Sequence, residues 1–256
     1  MQVTAVYFSA TGTSKRNAES LAEGLAGHEG FETLDLTPFS ETSVQRGFGA
    51  DDFVVFSVPC YKGRIPVVAM DRLRTLRGDK TPCIITVTYG NREYDDALLE
   101  LHDLVRANGF RPRAAAALIG QHTYGTIQPG RPDASDMEAN RRFARAVLDT
   151  QHAAPEQETP LTIRGERPYR GEGSGGSFRP LTSDTCTHCG LCVRECPVRA
   201  IGEDCVTVAG HCLACFRCIQ ICPVQAKNMD TPEYRGFAEA FSRQLATRRE
   251  NEYIFD

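Results

Sequence analysis

Two cysteine runs, identical in every spacing, limit what this chain can fold into. The first is Cys186-Thr-His-Cys189-Gly-Leu-Cys192-Val-Arg-Glu-Cys196-Pro197. The second is Cys212-Leu-Ala-Cys215-Phe-Arg-Cys218-Ile-Gln-Ile-Cys222-Pro223. Both read C-x2-C-x2-C-x3-C-P, at an offset of 26 residues, and Val198/Val224 and Ala200/Ala226 extend the match. Of 11 cysteines, only Cys60 and Cys83 lie outside residues 186–222. An internal repeat of one ligand motif describes two copies of one small unit. Thiolates are soft ligands, and four of them suit a four-iron cluster. Cysteines at i, i+3 and i+6 can hold three corners of one cube. The fourth leaves on a segment turned by proline and serves the cube of the other repeat. The expected sets are Cys186, Cys189, Cys192 and Cys222 for one [4Fe–4S] cluster. Cys212, Cys215, Cys218 and Cys196 are expected for the other. Zinc sites pair two C-x2-C knuckles and need neither a third cysteine nor a C-P step.

Residues 183–230 closely resemble the bacterial two-cluster [4Fe–4S] ferredoxins, which implies a small α+β domain. Cys205, between the repeats, is expected to be a small buried hydrophobe. His188 and His211 adjoin ligands and are expected at the surface or beside the ligands, because the thiolate count is already complete.

The rest of the 256-residue chain has ordinary globular composition, with 41% hydrophobic residues and a net charge of −4. That mild acidity, without a basic or basic–aromatic stripe, argues against nucleic acid as partner. No run of 18 apolar residues suggests a membrane span. The N-terminal residues do not read as a signal peptide, so a cytoplasmic location is expected and the cysteines are expected to bind metal rather than pair.

Residues 1–150 alternate between strand and helix patterns. Strands are expected at 3–8, 31–36, 51–58, 82–88 and 113–119, and helices at 14–26, 67–76, 94–108 and 133–150. The third and fourth strands are near-continuous apolar runs, as buried parallel strands are. Such an order predicts a doubly wound α/β domain with a five-stranded parallel sheet. Ligands of such sheets sit beyond the strand C-termini, where strand order switches.

The loop after the first strand is Ser9-Ala10-Thr11-Gly12-Thr13-Ser14. Hydroxyls and backbone N–H groups at a helix start suit a phosphate dianion. The Walker lysine and the G-x-G-x-x-G glycines are absent, which disfavours triphosphates and NAD. Placed after the first strand of this domain, the loop resembles the phosphate loop of flavodoxins. That resemblance implies FMN, with the ring held between the loops after the third and fourth strands. Those are Pro59-Cys60-Tyr61-Lys62-Gly63-Arg-Ile-Pro and Thr88-Tyr89-Gly90-Asn91-Arg92-Glu-Tyr94-Asp95-Asp96.

The whole chain resembles fusions of a flavodoxin-like domain with a two-cluster ferredoxin. Gln121-His122-Thr123 and Gly130-Arg131-Pro132-Asp133 share in that resemblance. With no Trp in the chain, Tyr61 and Tyr89 are the ring's candidate neighbours, and little aromatic cover is expected. Either tyrosine could instead pack beneath its loop. Arg92 reads either as a surface charge or as a donor to the flavin N1/O2 edge. His122 is a candidate for lining the site, and Asp95 and Asp96 suit a helix start. Cys60 lacks a base and is not read as a nucleophile.

Residues 151–182, rich in Pro, Gly and Ser, read as a flexible linker. Its arginines 164, 167, 170 and 179 are either solvated or a clamp over an anion or an acidic partner. Residues 231–256 read as one helix packing back on a domain. The expected role is electron transfer, passing single electrons between the clusters and FMN and so to or from a redox protein partner. The alternative is a flavin-dependent reductase of a small-molecule acceptor, with the clusters as an internal relay.

Overall fold

A computed structural model describes residues 1–40, 45–153, 160–171 and 175–255. Its centre is a sheet of β1 (Val3–Tyr7), β2 (Glu32–Asp35), β4 (Phe53–Pro59), β6 (Thr81–Tyr89) and β7 (Phe110–Ile119), all parallel. Between β2 and β4, β3 (Arg46–Phe48) pairs with β5 (Leu76–Gly78) in a separate two-stranded sheet. The central order is β2-β1-β4-β6-β7. The order therefore reverses between β1 and β4, and a crevice opens there beyond their carboxyl ends. Every residue of β1, β4 and β6 is buried, which explains why they are mostly apolar, broken only by small hydroxyl residues such as Thr4, Ser57 and Thr86.

Helices α1 (Thr13–Ala26) and α4 (Ala134–Ala153) cover one face, closing a core around Leu21, Phe53, Val55, Ile84 and Val147. Helices α2 (Val67–Leu73) and α3 (Ala97–Ala107) cover the other, around Phe56, Ile85, Leu98 and Leu101. Among the described residues, no helix is long and apolar enough to cross a membrane.

The sheet has a sixth strand that the sequence pattern did not announce. β10 (Glu252–Ile254), near the chain end, pairs antiparallel with β7 through Glu252–Ala117, Tyr253–Ala116 and Ile254–Ala115. It covers an edge whose backbone groups would otherwise lack partners. The expected single helix at 231–256 is thus α7 (Pro232–Gln244) followed by a return to the sheet. Thr231 caps α7 by accepting from Tyr234 N–H, and Pro232 begins it, a pattern legible in the sequence. Other boundaries shift. The helix expected from 94 starts at Ala97, and the one expected to reach 76 stops at Leu73, leaving residues 76–78 to β5.

The described part of the linker is not loose. Residues 160–171 lie along α3. The Arg167 guanidinium pairs with both oxygens of Asp103 (2.6 and 2.7 Å), and Tyr169 also donates to Asp103 (2.5 Å). Asp96 accepts the N–H groups of Glu166 and Arg170. Leu161 and Ile163 pack against the core. Arg164 pairs with Glu93 and Arg170 with Glu166, while Arg179 donates to backbone carbonyls. These arginines therefore hold this chain's own groups. Residues 154–159 and 172–174, part of the glycine-rich run, lie outside the described residues.

The cysteine repeats are alike in structure as well as in spacing. Helices α5 (Leu191–Arg194) and α6 (Arg217–Gln220) occupy equivalent places. A short ladder, β8 (Leu181–Thr182) with β9 (Lys227–Asn228), closes the unit. Left-handed backbone recurs in step, at His188 and Ala214, Gly190 and Phe216, and Arg199 and Gln225.

Arg72 ties this unit to the α/β part. Its buried guanidinium donates to the carbonyls of Leu36, Thr37 and Pro197 (2.5–2.7 Å). Arg217, inside the second cysteine run, donates to the Ala10 carbonyl (3.2 Å) and pairs with Glu195 (2.5 Å).

Candidate functional site

Beyond the carboxyl ends of β1, β4 and β6 lies a cavity of about 320 Å³. Its floor is the loop after β1, contributing Ser9, Ala10, Thr11, Thr13 and Ser14. One wall is Pro59 to Lys62 after β4; the other is Thr88, Tyr89, Gly90 and Arg92 after β6. Thirteen of the 18 residues singled out for a cofactor thus line one space. Gly12, Gly63, Asn91, Tyr94 and Asp95 do not.

The floor suits an anion. Gly12, at φ 82°, precedes α1 in a left-handed conformation and offers no side-chain cap. Gly12 therefore leaves the start of α1, at the positive end of the helix, without a cap from the N-cap residue itself, and Ser9 supplies a side-chain acceptor to the Lys15 N–H. Ser9 Oγ accepts from Lys15 N–H (3.0 Å), and Thr37 Oγ1 takes the Ser9 N–H (2.7 Å), which fixes the loop. The Ser14 hydroxyl is buried with no partner of its own. A buried hydroxyl in that state costs about 1–3 kcal/mol, which a phosphate oxygen would relieve. The residues present therefore fit the phosphate end of FMN.

The residues that do not line the cavity hold its walls. Asn91 Nδ2 donates to the carbonyls of Leu245 and Thr247 (2.9 and 2.8 Å), and its Oδ1 accepts from Arg249 N–H. Its polar groups serve the chain's tail rather than a ligand. Tyr94 donates to Glu252 (2.7 Å), and Asp95 pairs with Arg92. Glu100 braces the other wall, binding Arg64 through both oxygens and accepting Ile65 N–H (3.0 Å). Burial pushes the Cys60 thiol up to about 12, so it is a neutral wall group.

The roof was not legible. Gly120 to Tyr124, after β7, complete the third side. Phe237 and Phe241 of α7, and Leu213 and Ala214 of the second cysteine run, close the top. The expectation of sparse aromatic cover is overturned. Tyr124, Phe178, Phe216, Tyr234, Phe237 and Phe241 form one aromatic cluster around this side, with centroids 5.0–6.2 Å apart. Its members come from four distant segments, so no local pattern signals it.

His122 stands in this cavity against Phe241 (5.1 Å between centroids). A side chain at Gly90 would collide with it, so glycine keeps that wall open. Nδ1 accepts the Tyr124 N–H (2.8 Å), which leaves the neutral ring's proton on Nε2. Burial pushes its pKa down to about 4 from 6.5, and the nearby Arg92 charge adds to this. The unfolded chain then takes up this proton near pH 6.5 and the folded chain only near 4. The stability contributed by the neutral ring is complete above 6.5 and is lost as pH falls towards 4, by about 3 kcal/mol. Urea unfolding of His122→Asn across this window should lack that loss; a slope equal to wild type would contradict it.

The cysteines gather as two sets. Cys186, Cys189, Cys192 and Cys222 line one small cavity together with Cys205 and Lys227. Cys196 interacts electrostatically with Cys212, Cys215 and Cys218. Each set thus takes its fourth thiol from the other run. Backbone N–H groups reach sulfur at matching places. His188 and Ala214 donate to Cys186 and Cys212 (both 3.4 Å), and Ala200 and Ala226 to Cys196 and Cys222 (both 3.2 Å). Such donors stabilise thiolate charge. Among the described residues, no three His, Cys, Asp or Glu side chains are placed to hold a single metal ion. Four thiols around a space, with N–H donors behind them, fit a cluster. Cys205 is buried, as expected, but borders the first set. His188 is exposed, and His211 lies within 3.0 Å of the Val198 carbonyl.

The two centres adjoin. Tyr61, in the wall after β4, lies near Cys215, and the Tyr124 hydroxyl donates to the Ala214 carbonyl (3.3 Å).

Residues 181–202 match the family described as "4Fe-4S binding domain". No curated protein sequence matches the chain. Among solved structures, the chain is similar to a flavodoxin from the domain Archaea, at 11% identity and TM-score 0.38, over 59% of this chain and 98% of that one. It is similar to a flavodoxin of Streptococcus pneumoniae TIGR4, at 17% identity and TM-score 0.37, over 59% and 99%. It is also similar to rubredoxin oxygen:oxidoreductase from the anaerobe Desulfovibrio gigas, at 13% identity and TM-score 0.43, over 61% and 37%.

Proposed function

We propose that this chain is an electron-transfer protein that holds FMN in the large cavity and a [4Fe–4S] cluster in each cysteine set. The observation that carries this is the shared wall. The loop bearing Cys212 and Cys215 is at once part of the second thiol set and the roof over the anion-binding floor. When bound, the clusters exchange single electrons and the flavin exchanges one or two.

The residues divide the work accordingly. The α1 N-terminus and the Ser14 hydroxyl hold the phosphate. Tyr61 and Tyr89 flank the space left for the ring. Phe237, Phe241 and Leu213 exclude water from it. Arg217 fixes the distance between the two centres, because it bonds the phosphate loop at Ala10 and sits between Cys215 and Cys218. The second cysteine set is thereby nearest the flavin, and the first set faces outward with Cys189 exposed. A redox protein would exchange electrons at that outer set.

The test is stoichiometric. The protein purified anaerobically should contain about eight irons and eight sulfides and one FMN per chain. Markedly fewer irons, or no bound FMN, would remove this reading.

A further inference from the structure

Among the described residues, one buried cationic side chain of the cysteine unit has no ion-pair partner. Lys227 is 3% exposed. Its ammonium donates to Thr182 Oγ1 (2.6 Å), and that hydroxyl donates onward to the Cys205 carbonyl (3.0 Å). Among the described residues, no carboxylate forms an ion pair with it. The negative group whose field it shares is Asp204, which is committed to Thr207 and to the N–H groups of Val206 and Thr207. An ammonium has three N–H donors, and a single hydroxyl satisfies one.

A buried cation without an ion-pair partner is costly, so something must offset it. The place of Lys227 says what. Lys227 lines the cavity formed by Cys186, Cys189, Cys192 and Cys222. Its charge reaches ligands of both sets, Cys192 in the first and Cys212 and Cys218 in the second. Four thiolates around an iron–sulfur core make a net anion, and accepting one electron makes it more negative.

We propose that Lys227 is the built-in counter-charge of the cluster in the first cysteine set, and that it raises that cluster's reduction potential. This rests on the presence of the clusters argued above. The step concerned is simple: one electron from a low-potential donor enters the cluster, no bond forms or breaks, and the fixed ammonium stabilises the more negative product. The second cluster, whose ligands Cys212 and Cys218 the same charge also reaches, shifts in the same direction, and less, because Lys227 borders the cavity of the first set. Lys227 thereby favours electron residence at the outer set, where a partner docks, and biases the distribution between the two clusters.

The experiment compares wild type with Lys227→Met, Lys227→Gln and Lys227→Arg. Each is purified anaerobically, analysed for iron and sulfide, and titrated with dithionite under EPR and visible absorbance. The first-set signal is identified as the one missing from Cys222→Ala. Met and Gln should keep both clusters, with the first-set midpoint shifted to more negative potential and the second-set midpoint shifted less. Arg should stay near wild type. If Met and Gln lose only the first cluster while Arg retains it, the counter-charge is required for assembly, which also supports the proposal. Neutral variants with full iron and an unmoved first-set midpoint overturn it. So does loss of that cluster in the Arg variant as well, because shape rather than charge would then be the requirement. A wild-type chain without clusters would instead strike the functional reading beneath it.

Discussion

Cys196→Ala should abolish the cluster of the second cysteine run and spare that of its own. Cys196 is nearly buried and lies in the electrostatic reach of Cys212, Cys215 and Cys218. Its sulfur is held by Ala200 N–H at 3.2 Å, as Cys222 is held by Ala226 N–H. Removing one thiolate of four leaves an iron corner without a protein ligand. Iron should therefore fall from about eight to about four per chain. Cys222→Ala should do the reverse, emptying the cavity lined by Cys186, Cys189 and Cys192. The two variants also differ in the flavin's connection. With the second set emptied, electrons delivered at the outer set lose the centre that adjoins Tyr61, and flavin reduction by a one-electron donor should slow sharply. Iron analysis and EPR read the first effect, and stopped-flow absorbance the second. Loss of the local cluster in either variant would refute the crossed pairing.

Ser14→Asp should leave the fold intact and remove FMN binding. The Ser14 hydroxyl is buried and unpartnered at the start of α1. In the empty protein an aspartate there faces the positive end of α1, which offsets part of the cost of burying its carboxylate. It is unwelcome to a phosphate dianion. The loss of a charge-assisted hydrogen bond costs about 1.5–3 kcal/mol, and like charges about 4 Å apart add about 4 kcal/mol at an effective dielectric of 20. Together these amount to a loss of affinity of at least about 1000-fold. Riboflavin, which lacks the phosphate, separates this from a general collapse of the cavity. It should bind wild type and variant alike, weakly in both. Equal losses of FMN and riboflavin binding would place the phosphate elsewhere.

The parts of this molecule that were legible in its sequence share a short range. The cysteine spacing specifies how thiols can surround a core, because three of each four ligands lie within seven residues. The crossed fourth ligand follows from the internal repeat. The loop after β1 is legible for the same reason: strand, glycine, hydroxyls and helix start are contiguous in the chain. The third and fourth parallel strands were visible as near-continuous apolar runs, as strands buried on both faces are.

Other features were decided by residues far apart in sequence. Asn91 sits in a loop that resembles a flavin-binding one, yet its three hydrogen bonds go to residues 245–249. Nothing local distinguishes an amide that faces a ligand from one that faces another segment. The sixth strand pairs residues 252–254 with 115–117, and three residues are too few to show a period. The arginines of the linker could be read as solvated or as a clamp over an anion or an acidic partner, and the tertiary structure instead sets Glu93 against Arg164 and Asp103 against Arg167. The roof of the cavity gathers aromatic rings from four segments, and Lys227 became notable only once the structure placed it beside four thiols on one small cavity. Sequence by itself determined which atoms could hold which groups, because ligand geometry is written in spacing. Tertiary structure alone decided that the two centres share a wall. That contact depends on long-range packing of α7 and the second cysteine run onto the sheet's carboxyl edge, and no short window of sequence carries it.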